Sequence, residues 1–462
     1  MNLYDLEDLD KQGLDLEDLK DKRVDYTTDF AYENSPFYKE HLKEYNVDPS
    51  EVKSIEDLSQ IPEVDAEDIL QNQPPNTQDF KFRSLPKGQA RRPFTTSGST
   101  GNPKTIFYSY DDMKKMANTI KNGLKITNCK ENDLFYNKFP FVGLNISCIA
   151  MEEGVNELGA ESIPVSNTPY PPQREGEIIE SFEPTVMLGL PSHVDSASRK
   201  FREKGYDPSE WTIDRILLAG EPVSDSRKER ISEEYAAEVY EFLGTTEGGA
   251  FAWECPEHNG LHLMEESTHV DVLDEEGNKL PEGEEGKLVL TNLMPKDSKS
   301  AMPLINYNQG DLVTKYVEDS CGCGLPLEKI SPPNRQSNSF IIAGVNLRPE
   351  YFEDIIYSQE ELGEELNGEY QIIANYDERT GQDFLTVKLE SNEWAGELAK
   401  DVSLDSEENE IPYKVGKEFL KNHEQLKDTV ENVDAGRIDV EMVEEIEMPP
   451  GKPKRFIDKR KG

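Results

Sequence analysis

The sequence predicts an α/β protein with a large N-terminal domain, residues 1–334, and a small α+β C-terminal domain, residues 335–462. Three observations carry that prediction. Between residues 134 and 237, short apolar strand patterns alternate with amphipathic helical ones, as in a largely parallel sheet with flanking helices. From His262 onward the texture changes to hairpin-like alternation, which predicts a small β-subdomain. A polar stretch, Pro332-Pro333-Asn334-Arg335-Gln336-Ser337-Asn338-Ser339, then interrupts the chain, and the ~120 residues beyond it suffice for a second domain.

The elements follow in order. Residues 1–80 read as helical and acidic, with a break at Ser35-Pro36 inside the periodic stretch 23–45. Residues 134–141 read as a strand, 145–158 as a helix and 161–165 as a strand. Residues 185–189 and 214–220 are short buried-strand patterns, each followed by a helical one, 192–204 and 224–237. Residues 268–273 and 286–293 flank the turn Asp274-Glu275-Glu276-Gly277-Asn278. Phe340-Ile341-Ile342 opens the last domain and leads through residues 344–349 to an acidic helix.

Composition limits the partners. Asp and Glu number 93 against 50 Lys and Arg, a formal net charge of −43 spread along the whole chain. Such a surface suits concentrated salt, where repulsion is screened within a few Å, and it predicts a halophilic setting. It also excludes direct nucleic-acid binding, which needs a basic surface. The N-terminus has no basic region followed by an apolar run, and no stretch approaches about 20 apolar residues. A soluble, cytoplasmic protein without membrane contact is expected. Five cysteines are too few and too unevenly spaced for a disulfide framework.

One segment carries most of the chemical signal: Thr96-Ser97-Gly98-Ser99-Thr100-Gly101-Asn102-Pro103-Lys104. Glycines let the backbone curve and present several N–H donors to phosphate oxygens. The hydroxyls add donors and Lys104 adds a positive charge. The Gly-Lys-Ser/Thr ending of a Walker loop is missing. A flexible linker would rarely close on Pro-Lys followed by the apolar Ile106-Phe107-Tyr108.

This segment resembles the signature of adenylate-forming enzymes, and further motifs follow in the family's order. Leu218-Ala219-Gly220-Glu221-Pro222 resembles the family segment that lies against adenine. Gly244-Thr245-Thr246-Glu247 resembles the family's Gly-x-Ser/Thr-Glu, with Leu243 where an aromatic is usual and Phe242 and Tyr240 as nearby rings. The resemblance implies that Glu247 holds Mg²⁺ beside Thr246, a hard oxygen ligand next to a hydroxyl. Pro303-Leu304-Ile305-Asn306-Tyr307-Asn308-Gln309-Gly310-Asp311-Leu312 resembles a motif whose aspartate, here Asp311, binds the ribose hydroxyls. Two arginines of that motif are Asn306 and Asn308 here. Arg335 is the implied nucleotide contact at the domain boundary, with Ser337 at the family's hinge position. Lys452, in Gly451-Lys452-Pro453-Lys454-Arg455, is the implied catalytic lysine of the mobile C-terminal domain, stabilising phosphate charge as pyrophosphate leaves.

Glu33-Asn34-Ser35-Pro36-Phe37-Tyr38 narrows the resemblance to the phenylacetate–CoA ligase family, and the likeness runs on to Arg455. It implies ATP, Mg²⁺ and CoA as cofactors and co-substrates, and phenylacetate or a related aryl or short carboxylic acid as substrate. By position, Phe139, Phe141 and Gly143 are expected at the acid pocket; the two phenylalanines fit a buried strand equally well. Cys255, Cys321 and Cys323 with His258 or His262 form a thiolate and imidazole set suited to structural Zn²⁺. Members of the family look similar there. The same motifs would serve an adenylating ligase with a non-CoA acceptor, such as an acyl-protein synthetase or a deazaflavin-cofactor enzyme. A third reading, a catalytically silent nucleotide-binding relative, is motivated by the departures at Asn306, Asn308, Ser337 and Leu243; the retained Glu247, Asp311, Arg335 and Lys452 argue against it. Monomer and homodimer both remain open.

Overall fold

The computed structural model describes residues 15–96, 103–166, 170–316 and 321–335, and beyond them 340–342, 345–347, 353, 369–377, 382–391, 398–399, 415, 437–444, 446 and 455–460. Ser97, Gly98, Ser99, Thr100, Gly101, Ser337 and Lys452 therefore lie outside the described residues, as does the side chain of Arg335.

The N-terminal helices form where the break at Ser35 predicts. Helix α1, Leu16–Asn34, starts with the Asp15 carboxylate accepting from the Glu17 N–H. Its last residue abuts Ser35, whose hydroxyl caps α2, Pro36–Glu44, where a proline at the first position forfeits no hydrogen bond. Lys20 is buried and pairs with Glu265 at 2.8 Å, and Arg23 donates to the Glu266 carbonyl, so α1 is strapped to a segment over 240 residues away. Helix α3 is Ala66–Gln71, opened by a reciprocal Asp65/Asp68 capping box.

Strands β1, Arg92–Thr95, and β2, Thr105–Tyr108, form an antiparallel hairpin. Helix α4, Tyr110–Ile126, follows a Ser109/Asp112 capping box and buries Met113, Met116, Ile120 and Leu124 along one face. Gly123 lies under the Trp253 indole, where a Cβ would come within 2.1 Å of the ring. The alternating region then supplies β3, Leu134–Asn137; α5, Ser147–Leu158; β4, Glu161–Pro164; α6, Pro172–Phe182; β5, Val186–Gly189; α7, Pro191–Glu203; β6, Arg215–Leu218; α8, Asp225–Tyr235; and β7, Glu238–Thr245.

The predicted boundaries shift for local reasons. The first strand stops at Asn137 rather than 141, because Pro140 has no N–H to continue a ladder. Helix α5 begins at Ser147 rather than 145, because the Asn145 carboxamide accepts from the Ser147 N–H and hydroxyl and makes a side-chain turn. Strand β6 gives way at Gly220, whose φ of +91° turns the chain.

Strands β8, Gly249–Glu254, and β9, Leu261–Leu263, continue the sheet. Strands β10, Thr268–Leu273, β11, Glu285–Asn292, and β12, Tyr307–Thr314, begin the expected β-subdomain. Strand β13 is Lys329–Ile330 and β14 is Asn334–Arg335. The main sheet has eight strands in the order β13-β9-β8-β7-β6-β5-β3-β4, parallel from β4 to β7. The subdomain sheet runs β10-β11-β12-β14. Beyond lie the hairpin β15, Phe340–Ile342, with β16, Val345–Leu347, and a five-stranded sheet. That sheet comprises β17, Tyr370–Asp377; β18, Gln382–Glu390; β19, Leu398–Ala399; β20, Arg437–Val443; and β21, Phe456–Asp458, in the order β19-β20-β18-β17-β21. Among the described residues, no helix is long and apolar enough to cross a membrane.

Candidate nucleotide site and metal cluster

In a parallel sheet the loops at the carboxyl ends of the strands open onto one crevice, the usual place for a ligand. Here the carboxyl ends of the strands are followed by Lys138 after β3, Ser192 and His193 in the first turn of α7 after β5, Gly220 and Glu221 after β6, and Thr246 and Glu247 after β7. The β1–β2 hairpin, whose strands flank the Ser/Thr/Gly segment in the sequence, brings Lys104 to Glu247. Its stem is closed by Thr96 N–H to the Lys104 carbonyl at 3.0 Å and by Lys104 N–H to the Thr96 hydroxyl at 3.1 Å.

Three segments meet at one charge. The Lys104 ammonium is 2.6 Å from Glu247 Oε1 and donates to the Tyr307 hydroxyl at 2.7 Å. Tyr307 donates to Glu247 Oε1 at 3.4 Å. Burial first, and the Glu247 charge second, push the Tyr307 phenol well above its ordinary value, so it keeps its proton. The β7–β8 turn is rigid: Thr245 accepts from the Gly248 N–H and from Gln309, the Asn292 amide donates to the Glu247 carbonyl, and Tyr108 donates to the Thr246 carbonyl. Glu247 offers a buried carboxylate oxygen, a donor type that suits Mg²⁺. Tyr307 escapes a reading by motif, and its one signal is its place between Asn306 and Asn308.

The remaining predicted residues are placed as follows. Asp311 is buried and faces Arg335 across the β12–β14 ladder. Glu221 accepts from the Ser192 N–H at 3.1 Å and its hydroxyl at 2.8 Å, capping the first turn of α7, with Pro222 beside it. Gly244 sits at a register shift in the β7–β8 pairing, next to Leu243. Phe242 stacks on Trp253 at 4.2 Å and Tyr240 stacks on His258 at 5.1 Å, so both rings are taken up by packing rather than offered to adenine.

The two asparagines have structural work of their own. Asn306 has φ +48°, a region arginine adopts poorly, and its amide donates to the Leu58 and Ile61 carbonyls, each at 2.7 Å. Asn308 donates to Glu63, which also holds Lys287. Asn306→Ala is expected to cost roughly 2–3 kcal/mol, from the lost amide bonds to the Ile61 carbonyl and to the Leu58 carbonyl, which keeps the Ile61 N–H, and from a left-handed alanine; urea denaturation measures it.

The expected acid pocket separates into two environments. Phe139 is 2% exposed and packs edge-on against Phe242, whereas Phe141 is 61% exposed on the loop that turns at Gly143, φ +61°. A cavity of about 30 Å³ lies behind Glu247, lined among others by Tyr108, Lys115, Ser267 and Asn292. It has room for water but not for a carboxylic acid. Burial lowers the Lys115 ammonium there to about 8.

Three of the five cysteines converge at the far edge of the main sheet. Cys255, His262, Cys321 and Cys323 place their ligand atoms within 4.8 Å of one another. Cys255 and Cys321 sulfurs are 3.6 Å apart, and Cys323 Sγ is 3.4 Å from His262 Nε2. Tetrahedral zinc with Zn–S near 2.3 Å requires S···S of about 3.8 Å and S···N of about 3.6 Å, so the donor set fits. The Leu327 carbonyl, 3.3 Å from His262 Nδ1, fixes the ring with Nε2 toward the thiols. His258 stands apart, paired with Glu254 at 3.4 Å, whose hydrogen bond raises the imidazole above its ordinary value.

Comparison with known proteins agrees with this architecture. A family profile described as AMP-binding enzyme matches residues 37–293. A phenylacetate-coenzyme A ligase of Thermus thermophilus is 29% identical over 349 residues, 74% of this chain and 76% of that one. One of Escherichia coli K12 is 27% identical over 384 residues, 82% of this chain and 83% of that one. A solved 2-hydroxyisobutyryl-CoA ligase in its postadenylation state, with R3-HIB-AMP, has a TM-score of 0.78 at 21% identity, over 95% of this chain and 88% of that one. The same ligase with 2-HIB-AMP and CoA, in the thioesterification state, gives 0.66, over 96% and 89%.

Proposed function

We propose, on the premise that the chain belongs to the AMP-binding enzyme family, that it is an AMP-forming acid–CoA ligase acting on phenylacetate or a related aryl or short carboxylic acid. In the first half-reaction the acid's carboxylate oxygen attacks the α-phosphorus of ATP. The bond to the bridging oxygen breaks, and pyrophosphate leaves with that electron pair. In the second, the CoA thiol gives up its proton, its sulfur attacks the acyl carbon, and AMP departs.

The observation that carries this reading is the meeting of Glu247 and Tyr307 with Lys104, the residue on which the hydroxyl-and-glycine segment of the sequence closes. The Lys104 ammonium is held on the Glu247 carboxylate. With ATP bound, Lys104 turns to the phosphates, where its charge has a stronger partner. Bound Mg²⁺ would supply charge neutralisation on the phosphates, with Glu247 as its protein ligand and Thr246 beside it. Thr96, Ser97, Gly98, Ser99, Thr100 and Gly101 present donors to phosphate oxygens. Gly220, Glu221, Pro222, Gly244 and Thr245 border the nucleotide, Asp311 accepts from the ribose hydroxyls, and Arg335 lies beside it. Lys452 approaches from the C-terminal domain, which pivots about 335–337 between half-reactions. Zinc at Cys255, His262, Cys321 and Cys323 has four protein ligands and no open position, hence a structural role.

The test is ATP–pyrophosphate exchange across a panel of acids, followed by CoA addition. Acid-dependent exchange, strongest with arylacetates, and AMP with a CoA thioester as products are expected. ADP as product sinks the reading, and adenylate that never passes to CoA redirects it to another acceptor.

A further inference from the structure

One carboxylate joins the body to the C-terminal sheet. Glu353 is 1% exposed and receives four donors. Two come from the body: the Ser224 N–H at 3.1 Å, at the cap of α8, and Arg227 Nη1 at 2.9 Å. Two come from the C-terminal side: the Tyr370 hydroxyl on β17 and Arg455 Nη1 just before β21, each at 3.0 Å. The charges alternate outward from it. Asp195 on α7 pairs with Arg227 at 3.1 Å, and Glu369 pairs with Arg455 at 3.0 Å. Arg227 is fully buried, and the Arg455 guanidinium lies over the Tyr370 ring at 4.7 Å.

We propose that the chain Asp195–Arg227–Glu353–Arg455–Glu369 is a latch that seats the C-terminal domain on the body for acyl-adenylate formation, with Arg227 and Glu353 as positioning residues for that half-reaction. This rests on the AMP-forming reading above. A buried carboxylate is tolerable only with its donors in place, and half of them come from each side, so the seated arrangement is all-or-none. Undocking exposes Glu353 and Arg455 to water, while Arg227 keeps Asp195. The latch is therefore reversible, as an alternating domain requires. Arg455 also fixes register: its carbonyl accepts from the Ile372 N–H at 2.7 Å, and Phe456 pairs with Ile372 on β17. Lys452 is three positions earlier in the sequence, so anchoring Arg455 limits how far that lysine can range.

The experiment separates the half-reactions in the full-length protein. Glu353→Gln is expected to lower acid-dependent pyrophosphate exchange about tenfold or more, because one charge of a buried network is lost. Thioester formation from supplied acyl-adenylate and CoA should stay within about twofold of wild type, since that step follows undocking. Equal losses in both half-reactions, or none in either, overturn the latch. Should Glu353→Gln fail to fold, Tyr370→Phe removes a single donor and is expected to show the same split at roughly threefold; an even loss again overturns it. A readout without catalysis uses spin labels at Asp225→Cys and Tyr376→Cys, both exposed positions. Their distance distribution should be narrow in wild type and broad with Glu353→Gln, and unchanged widths overturn the latch. If wild type catalyses no exchange with any acid, the proposed function falls, and the label distances still decide the latch.

Discussion

Replacing Glu247 with Gln is expected to lower acid-dependent pyrophosphate exchange roughly a hundred- to a thousandfold, the scale on which one preorganised electrostatic group acts in a buried site. Gln has nearly the same shape and keeps an oxygen to accept from Lys104 and Tyr307. The β7–β8 turn is held by Thr245, Gln309 and Asn292 rather than by the carboxylate. The melting temperature should therefore move by about 3 °C or less. What Gln removes is the negative charge, and with it the ligand strength toward Mg²⁺. Titration of ATP-bound protein with Mn²⁺, followed by its paramagnetic signal, should show weakened metal binding in step with the lost exchange. Exchange within threefold of wild type would move the metal ligand away from Glu247.

The second large effect concerns the cysteine cluster. Purified protein is expected to carry one zinc per chain, and Cys323→Ser or His262→Ala to lose it. His258→Ala should retain it, because that ring is engaged with Glu254 and Tyr240 instead. The ligands tie the end of β8 and β9 to the segment before β13, adding to the short β9–β13 ladder and the Leu263 N–H to Glu328 carbonyl bond. Metal binding to a folded site contributes directly to folding. Loss of zinc, by substitution or a strong chelator, should lower the melting temperature by about 5 °C or more. Metal analysis of the three variants, with calorimetry, checks both points. Full metal content in Cys323→Ser would mean that the thiols are only neighbours in a core.

Much of the fold is legible because its signals are local. The alternation of apolar strands and amphipathic helices between residues 134 and 237 becomes four parallel strands with helices between them, and β7 follows from residue 238 as a fifth. Ser35 and Ser109 act as caps because a short hydroxyl at a helix start satisfies N–H groups that have no helical partner. The site is less legible, because its contacts span great sequence distances. Lys104 and Tyr307 are 203 positions apart, and nothing in either segment alone says that they touch. Asn306 and Asn308 look like lost arginines in the sequence; in the fold they hold residues 58–63 in place.

By itself, then, the sequence determined the α/β alternation, the hydroxyl- and glycine-rich segment that closes on Lys104, and the residue types of the cysteine cluster. Each is written in residue type and near spacing, which set backbone curvature, periodicity and donor chemistry. Only the tertiary structure decided that His262 rather than His258 faces the thiols, that Phe139 is core while Phe141 is exposed, and that Glu353 bridges two parts of the chain. Those outcomes depend on burial and on partners brought together by packing, and burial is a property of the folded whole rather than of any segment.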